Sequence, residues 1–327
     1  MSHALAPMPL PDASLPDHGG GVDGAALQFG GGRGDWLDLS TGINPLPYPV
    51  GDIAPVAWAT LPDKAAQEAL LAAARALWRV PEGAAVLAAP GASALIALLP
   101  LLAVPGIVDI PSPTYNEHGR AFQAAGWAFG TGGARVLVHP NNPDGRLWQA
   151  SDLGADQSGG LTVIDESFCD VMPEASLIGQ AVRPGVVVLK SFGKFWGLAG
   201  LRLGFAIGDP VLIARLAQLL GPWPVSGPAL QIGARALADR AWADTTRARL
   251  AADALRLDAL VGAPLVGGTS LFRLYDVGDA ALAQEALARH HIWTRIFPYS
   301  SRWLRLGLPG TAADWARLET ALPDMPR

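Results

Sequence analysis

SFGKFWGLAGLRLG, residues 191–204, follows directly on a continuous apolar run, VVVLK at Val186–Lys190. A short apolar run bounded by turn residues reads as a buried strand. Ser191, Phe192 and Gly193 break it, Lys194 follows, and Arg202 leads into a second apolar strand, LGFAIG. Four glycines, Gly193, Gly197, Gly200 and Gly204, permit close backbone approaches. A lysine at a strand end, between a hydroxyl and an arginine, suits Schiff-base formation beside a phosphate. Desolvation and a nearby cation both depress its pKa and leave the amine nucleophilic.

The chain has only three lysines, Lys64, Lys190 and Lys194; its other basic residues, histidines aside, are arginines. Lys64 begins an alanine-rich helix and reads as solvated surface, and Lys190 ends the strand. Ser191-x-x-Lys194 is also the nucleophile pattern of penicillin-recognising enzymes, so this stretch alone leaves acyl chemistry and cofactor chemistry both open.

At 327 residues, half of them hydrophobic and 16% charged, the chain can build one large domain and a smaller one. The formal charge of −5 argues against a dedicated nucleic-acid binder. The one cysteine, Cys169, rules out an internal disulfide and fits a reducing compartment. No apolar run reaches ~18 residues, so no membrane span is expected. The proline-rich N-terminus lacks a signal-peptide pattern. The expectation is a soluble cytoplasmic protein without a metal site.

In chain order, residues 1 to about 35 read as irregular and glycine-rich, with residues 1–15 a tail. Leu37–Pro49, LDLSTGINPLPYP, mixes a short strand with an Asn-Pro turn. Asp63 is a candidate N-cap for KAAQEALLAAARALWRV, and Pro81 lies just past its end. Strands and helices then alternate: AAVLAAP, a helix opened by Gly91-Ala92-Ser93, GIVDI, a helix near Glu117–Ala125, ARVLVHP, LTVIDE and VVVLKS. This pattern indicates an α/β fold with a mostly parallel sheet covered on both faces, whose functional residues gather at the carboxyl ends of the strands. Beyond Pro222-Trp223-Pro224, a helical region over 227–261 and shorter strands and helices read as a smaller α+β domain. The expected division is an N-terminal segment 1–44, a large domain 45–225 and a small domain 226–327.

Gly91-Ala92-Ser93 at a helix start can bind an anion through free backbone N–H groups and the Ser93 hydroxyl. Asp165 ends LTVID and needs a cation if buried. A pyridinium nitrogen is one such cation, and an arginine is the ordinary alternative. PNNPDG at 140–145 is a compact turn whose amides could donate to a phenolate oxygen.

Together these motifs resemble the fold-type I enzymes dependent on pyridoxal 5′-phosphate, the aspartate aminotransferase superfamily, from about Leu37 to Leu308. HPNNPDG resembles that family's Asn-Pro-Thr-Gly signature, DESF its Asp-Glu-Ala-Tyr/Phe, and the opening stretch its lysine box. The resemblance implies that Lys194 carries the cofactor, Asp165 pairs its ring nitrogen, Asn142 its phenolic oxygen, and Tyr115 stacks on the ring. It implies Ala92, Ser93, Ser191 and Arg202 around the phosphate, Arg305 on the substrate carboxylate, and a homodimer. Two departures stand out: Phe168 replaces the usual tyrosine three residues after the aspartate, and Leu61-Pro62-Asp63 replaces a Tyr-Pro-Asp segment. DHGG, LDLSTGINPLPYP and RIFPYSSRWLRLGLP look like the threonine-phosphate decarboxylases of cobalamin biosynthesis, a branch near the histidinol-phosphate aminotransferases. That likeness implies a small phosphorylated amino acid as substrate, with His18, Gly19, Asn44, Asn142, Arg295 and Arg305 facing it.

Overall fold

A computed structural model describes residues 18–154 and 160–326. The expected tail at 1–15 lies outside the described residues. The centre is a seven-stranded sheet, in the order Ala85–Ala89, Gly204–Gly208, Val186–Ser191, Thr162–Asp165, Ala134–Val138, Ile107–Asp109, Ala128–Phe129. Neighbours pair in parallel except Gly204–Gly208, which runs antiparallel to both strands beside it. That reversal matters for function. It brings the start of the strand, where Arg202 lies, to the edge at which the other strands end.

Both faces of the sheet are covered. Val186 and Val188 pack into one apolar cluster, Val187 and Leu189 into another on the opposite face. Burial on both sides is why these strands read as unbroken apolar runs and not as alternation. The helix Lys64–Trp78 starts where expected, with the Asp63 carboxylate accepting from Ala66 N at 2.7 Å. It packs against Gly227–Ala238.

The helical region read over 227–261 is two helices, Gly227–Ala238 and Arg240–Val261, broken where Asp239 turns to cap the second through Trp242 N. A four-stranded antiparallel sheet follows, in the order Arg295–Phe297, Ser300–Gly307, Phe272–Asp276, Leu265–Thr269. Leu265–Thr269 escaped the sequence reading because its two glycines break the apolar pattern.

The N-terminal region corrects one expectation. Residues 22–29 form a helix, Val22–Phe29, although its N-cap is Gly21 and no side chain caps it. Packing supplies what propensity lacks: Val22 and Ala25 bury against Trp36 and Ala288. The strand Leu37–Asp38 pairs with Ile292–Trp293, and Trp293 donates to Gly20 O at 2.9 Å, which ties this segment to the C-terminal part of the chain.

Beneath the sheet edge lies a buried ion group. Lys190 Nζ is 2.7 Å from Glu166 Oε2 and 3.5 Å from Asp170 Oδ1, all three side chains being almost fully buried. Burial acts to lower the Lys190 pKa, but the two carboxylates outweigh it and hold it above the usual lysine value. Trp78 and Trp196 donate to the two oxygens of Asp170. Breaking such a pair from one side strands a charge and costs about 3–5 kcal/mol. Glu166→Ala should therefore lower the urea midpoint steeply. The triple variant Glu166→Ala/Asp170→Asn/Lys190→Met, which leaves no charge of the group behind, should recover part of the loss. An unchanged midpoint for Glu166→Ala would show that Asp170 alone suffices.

Candidate active site

The carboxyl ends of the parallel strands and the start of Gly204–Gly208 converge on two adjoining cavities of about 120 and 140 Å3. Tyr115, Asn142, Phe168 and Lys194 line both. The inner one adds Gly91, Ala92, Ser93, Asp165, Ser191 and Arg202. The outer one adds His18, Gly19, Thr41, Gly42, Arg295 and Arg305.

Lys194 sits in the loop after Val186–Ser191. Its Nζ is 5.0 Å from the centre of the Phe168 ring, and among the described residues no carboxylate is in an ion pair with it. Burial, then the positive charges of Arg305 and Arg202, lower its pKa to about 8, against the opposing pull of Asp165. A lysine so placed has an appreciable neutral, nucleophilic fraction at neutral pH.

Asp165 ends its strand almost fully buried. Its Oδ2 is 2.8 Å from His118 Nε2, and its Oδ1 accepts from Ser167 N at 2.9 Å and Ser167 Oγ at 2.5 Å. Burial acts to raise its pKa, but these bonds together outweigh it and hold the carboxyl below its ordinary value. Asp165 is thus an anion in a place where an unpaired anion is costly. His118, the partner of Asp165, is a residue that sequence reasoning missed. Its signal was its position three residues after Tyr115, one turn along the helix Asn116–Ala124, which aims both side chains at the same strand ends. Tyr115 is kept a neutral phenol: burial, then Glu117 and Asp165, push its pKa up to about 12.

Gly91 lines the inner cavity beside Arg202. A Cβ there would lie 2.6 Å from Arg202 Nη2, which a shift of that flexible side chain would relieve, whereas φ of +88° calls for glycine by itself. Ala92, Ser93, Ser191 and Arg202 line this cavity together at the start of the helix Ala92–Leu98.

In the outer cavity, Arg305 is buried and donates to Asn142 Oδ1 and, at 2.6 Å, to Ser40 O. Its Nε is buried without a partner among the described residues, as is Nδ1 of His18. Burial, then the nearby charge of Arg295, lowers the Arg305 pKa to about 10. His18 is not in a loose segment. Its Nε2 is 3.1 Å from Glu117 Oε1, and its carbonyl accepts from Arg295 at 3.3 Å. Gly19 lies against Ser40 O, where a Cβ would come within 2.5 Å.

Asn44 is a correction. It lines neither cavity. Its Nδ2 donates to Phe195 O at 2.9 Å and its Oδ1 accepts from Leu46 N and from Arg249 Nη2 at 2.6 Å, so its amide is spent inside the protein. Thr41 and Gly42, from the same segment, face the outer cavity instead. His139, Glu166 and Cys169 approach one another within metal-ligand reach, but both His139 nitrogens and both Glu166 oxygens are already engaged, and burial raises the Cys169 thiol.

The model of the family described as aminotransferase class I and II matches residues 134–322. A threonine-phosphate decarboxylase of a Sinorhizobium species is 42% identical over 94% of this chain and 98% of its own length. The chain belongs to the aminotransferase class I and II family. A second threonine-phosphate decarboxylase, from Pseudomonas aeruginosa, is also 42% identical, over 94% of this chain and 97% of its own. Among solved structures, the histidinol-phosphate aminotransferase of Sinorhizobium meliloti, in complex with pyridoxal-5′-phosphate, shares the fold with a TM-score of 0.80 at 18% identity, covering 93% of this chain and 94% of that one. The fold-type I class I/II assignment accounts for the mixed central sheet and the separate smaller sheet.

The charges around Lys194 set a testable titration. Arg305→Gln removes the cation that contributes most to its depressed pKa after burial itself, so the midpoint should rise from about 8. The pH dependence of amine labelling at Lys194 in the cofactor-free protein reports it. A fall, or no change, would contradict the assignment.

Proposed function

We propose that this aminotransferase-family chain binds pyridoxal 5′-phosphate in the inner cavity and decarboxylates L-threonine O-3-phosphate to (R)-1-amino-2-propanol phosphate and CO2, a step of cobalamin biosynthesis. The observation that carries the reading is the outer cavity. Arg295, Arg305 and His18 line it, and two buried nitrogens there, Arg305 Nε and His18 Nδ1, have no partner among the described residues. Desolvating a carboxylate together with a phosphate needs such donors. The two decarboxylases that match across nearly the whole chain support the same choice.

The inner cavity fits the cofactor through its donors. Lys194 would bond its aldehyde, and the corner of Ala92, Ser93, Ser191 and Arg202 would hold its phosphate. The buried Asp165 anion answers a protonated ring nitrogen. Asn142, whose Oδ1 is taken by Arg305, keeps Nδ2 for the phenolic oxygen. Tyr115 and Phe168 line the same cavity and would lie beside the ring. When bound, the cofactor supplies an electron sink for the bond broken at the substrate α-carbon.

The residues of the chain do the rest. Arg305 holds the substrate carboxylate, and through it decides which α-carbon bond is aligned to break. Arginine suits this through its planar fork. Arg295, His18 and the backbone near Gly19 take the substrate phosphate. The Lys194 amine, on the wall shared by both cavities, would return a proton to the α-carbon.

The proposal includes a cytoplasmic homodimer organised as an N-terminal segment 1–44, a large domain 45–225 and a small domain 226–327. Among the described residues no helix is long and apolar enough to cross a membrane.

Lys194→Ala should abolish both CO2 release from threonine phosphate and the borohydride-reducible visible chromophore. A pyridoxyl label mapping to Lys190 would place the linkage elsewhere. Arg295→Ala should cost roughly 1.5–3 kcal/mol, about tenfold to a hundredfold in kcat/KM, on threonine phosphate and little on threonine. An equal loss on both would make Arg295 structural. Wild-type preference for histidinol phosphate with a keto acid would replace decarboxylation by transamination.

A further inference from the structure

Lys194 lies outside regular secondary structure, so the direction of its side chain depends on what grips the loop around it. One residue holds two successive carbonyls of that loop. Asn44 N donates to Lys194 O at 3.0 Å, and Asn44 Nδ2 donates to the next carbonyl, Phe195 O, at 2.9 Å. Two further carbonyl contacts support the same stretch: Gly197 N on Lys194 O at 3.1 Å and Tyr48 N on Trp196 O at 2.9 Å.

The amide of Asn44 has no freedom to turn. Its Oδ1 accepts from Leu46 N at 3.1 Å and from the Arg249 guanidinium at 2.6 Å, and the residue is 1% exposed. A cation on the oxygen polarises the amide and strengthens the donation from its nitrogen. Arg249 is itself fixed by Asp253 at 3.1 Å, one turn along Arg240–Val261. Two residues earlier in that helix, Arg247 donates to Asp170 O at 2.7 Å and lies over the Phe195 ring at 5.2 Å. Trp242 of the same helix packs on the rings of Phe195 and Trp196, so the helix touches the Lys194 loop directly through Arg247 and Trp242 and reaches it through Asn44 by way of Arg249.

We infer that Asn44, backed by Arg249, is a positioning residue: it fixes the backbone of Lys194 and Phe195 and so sets where the reactive amine points. A displacement of about 1 Å at a reacting group can cost a hundredfold in rate, so a moderate loosening should cost about tenfold. The inference rests on Lys194 carrying the cofactor, and one of its tests does not.

In the cofactor-loaded protein, Asn44→Ala should lower kcat for CO2 release about tenfold while KM stays within about twofold. The pH midpoint of the visible absorbance of the Lys194–cofactor linkage should move by about half a unit. In the cofactor-free protein, amide hydrogen exchange over residues 193–198 should quicken about tenfold, with strands of the central sheet unchanged. Arg249→Met leaves every contact of the Asn44 backbone in place and should shift all three quantities the same way by less. It carries the test if Asn44→Ala does not fold. The double variant should be no worse than Asn44→Ala, because Arg249 acts through that side chain. Lower thermal stability with unchanged kcat, midpoint and local exchange would overturn the inference. Wild-type protein with neither chromophore nor CO2 release would overturn the proposed function instead, and the exchange measurement would still decide the role of Asn44.

Discussion

A carboxylate that must stay charged at the end of a buried parallel strand constrains everything around it. Asp165 is 2% exposed, and water cannot compensate its charge. His118 and Ser167 do so from within, through three contacts of 2.9 Å or less. Those partners require the helix Asn116–Ala124 to lie against the strand ends, which also brings Tyr115 to the wall of both cavities. The anion in turn opposes the two arginines that depress Lys194. One buried charge thus fixes a helix, a ring face and the balance of an amine.

The second organising feature is direction. In an all-parallel sheet, Arg202 would sit at the far edge from Lys194. Because Gly204–Gly208 runs antiparallel to Val186–Ser191, the two residues share an edge across a single tight excursion. The same crossing sets the Arg202 guanidinium beside Gly91, where the proposed phosphate site lies. The remaining cations, Arg295 and Arg305, come from the smaller sheet, so the site lies where the two sheets meet.

Sequence reading captured what depends on local chemistry. Lys194, Asp165, Asn142 and the Gly91–Ser93 corner all follow apolar strands, and strand ends are visible in a sequence. The parallel strands were legible because both faces are buried. The strand order was not, since nothing local distinguishes Gly204–Gly208 as antiparallel. His118 was missed because its partner is 47 residues away in sequence. The likeness to the decarboxylases implies that Asn44 faces substrate, and an Asn-Pro turn beside the site gives no sign of which way the amide points. Its partners, Phe195 and Arg249, are 151 and 205 residues away. The helix Val22–Phe29 was invisible for a different reason: its stability comes from Trp36 and Ala288, not from its own sequence.

The charge on Asp165 is most directly tested at the atom it should face. The protein is loaded with pyridoxal 5′-phosphate isotopically labelled at the ring nitrogen, and the chemical shift of that nitrogen is followed by NMR across neutral pH. The expected result is a protonated nitrogen in the wild-type protein that loses its proton in Asp165→Asn. An unprotonated nitrogen in the wild type, or the same shift in both proteins, would contradict the account.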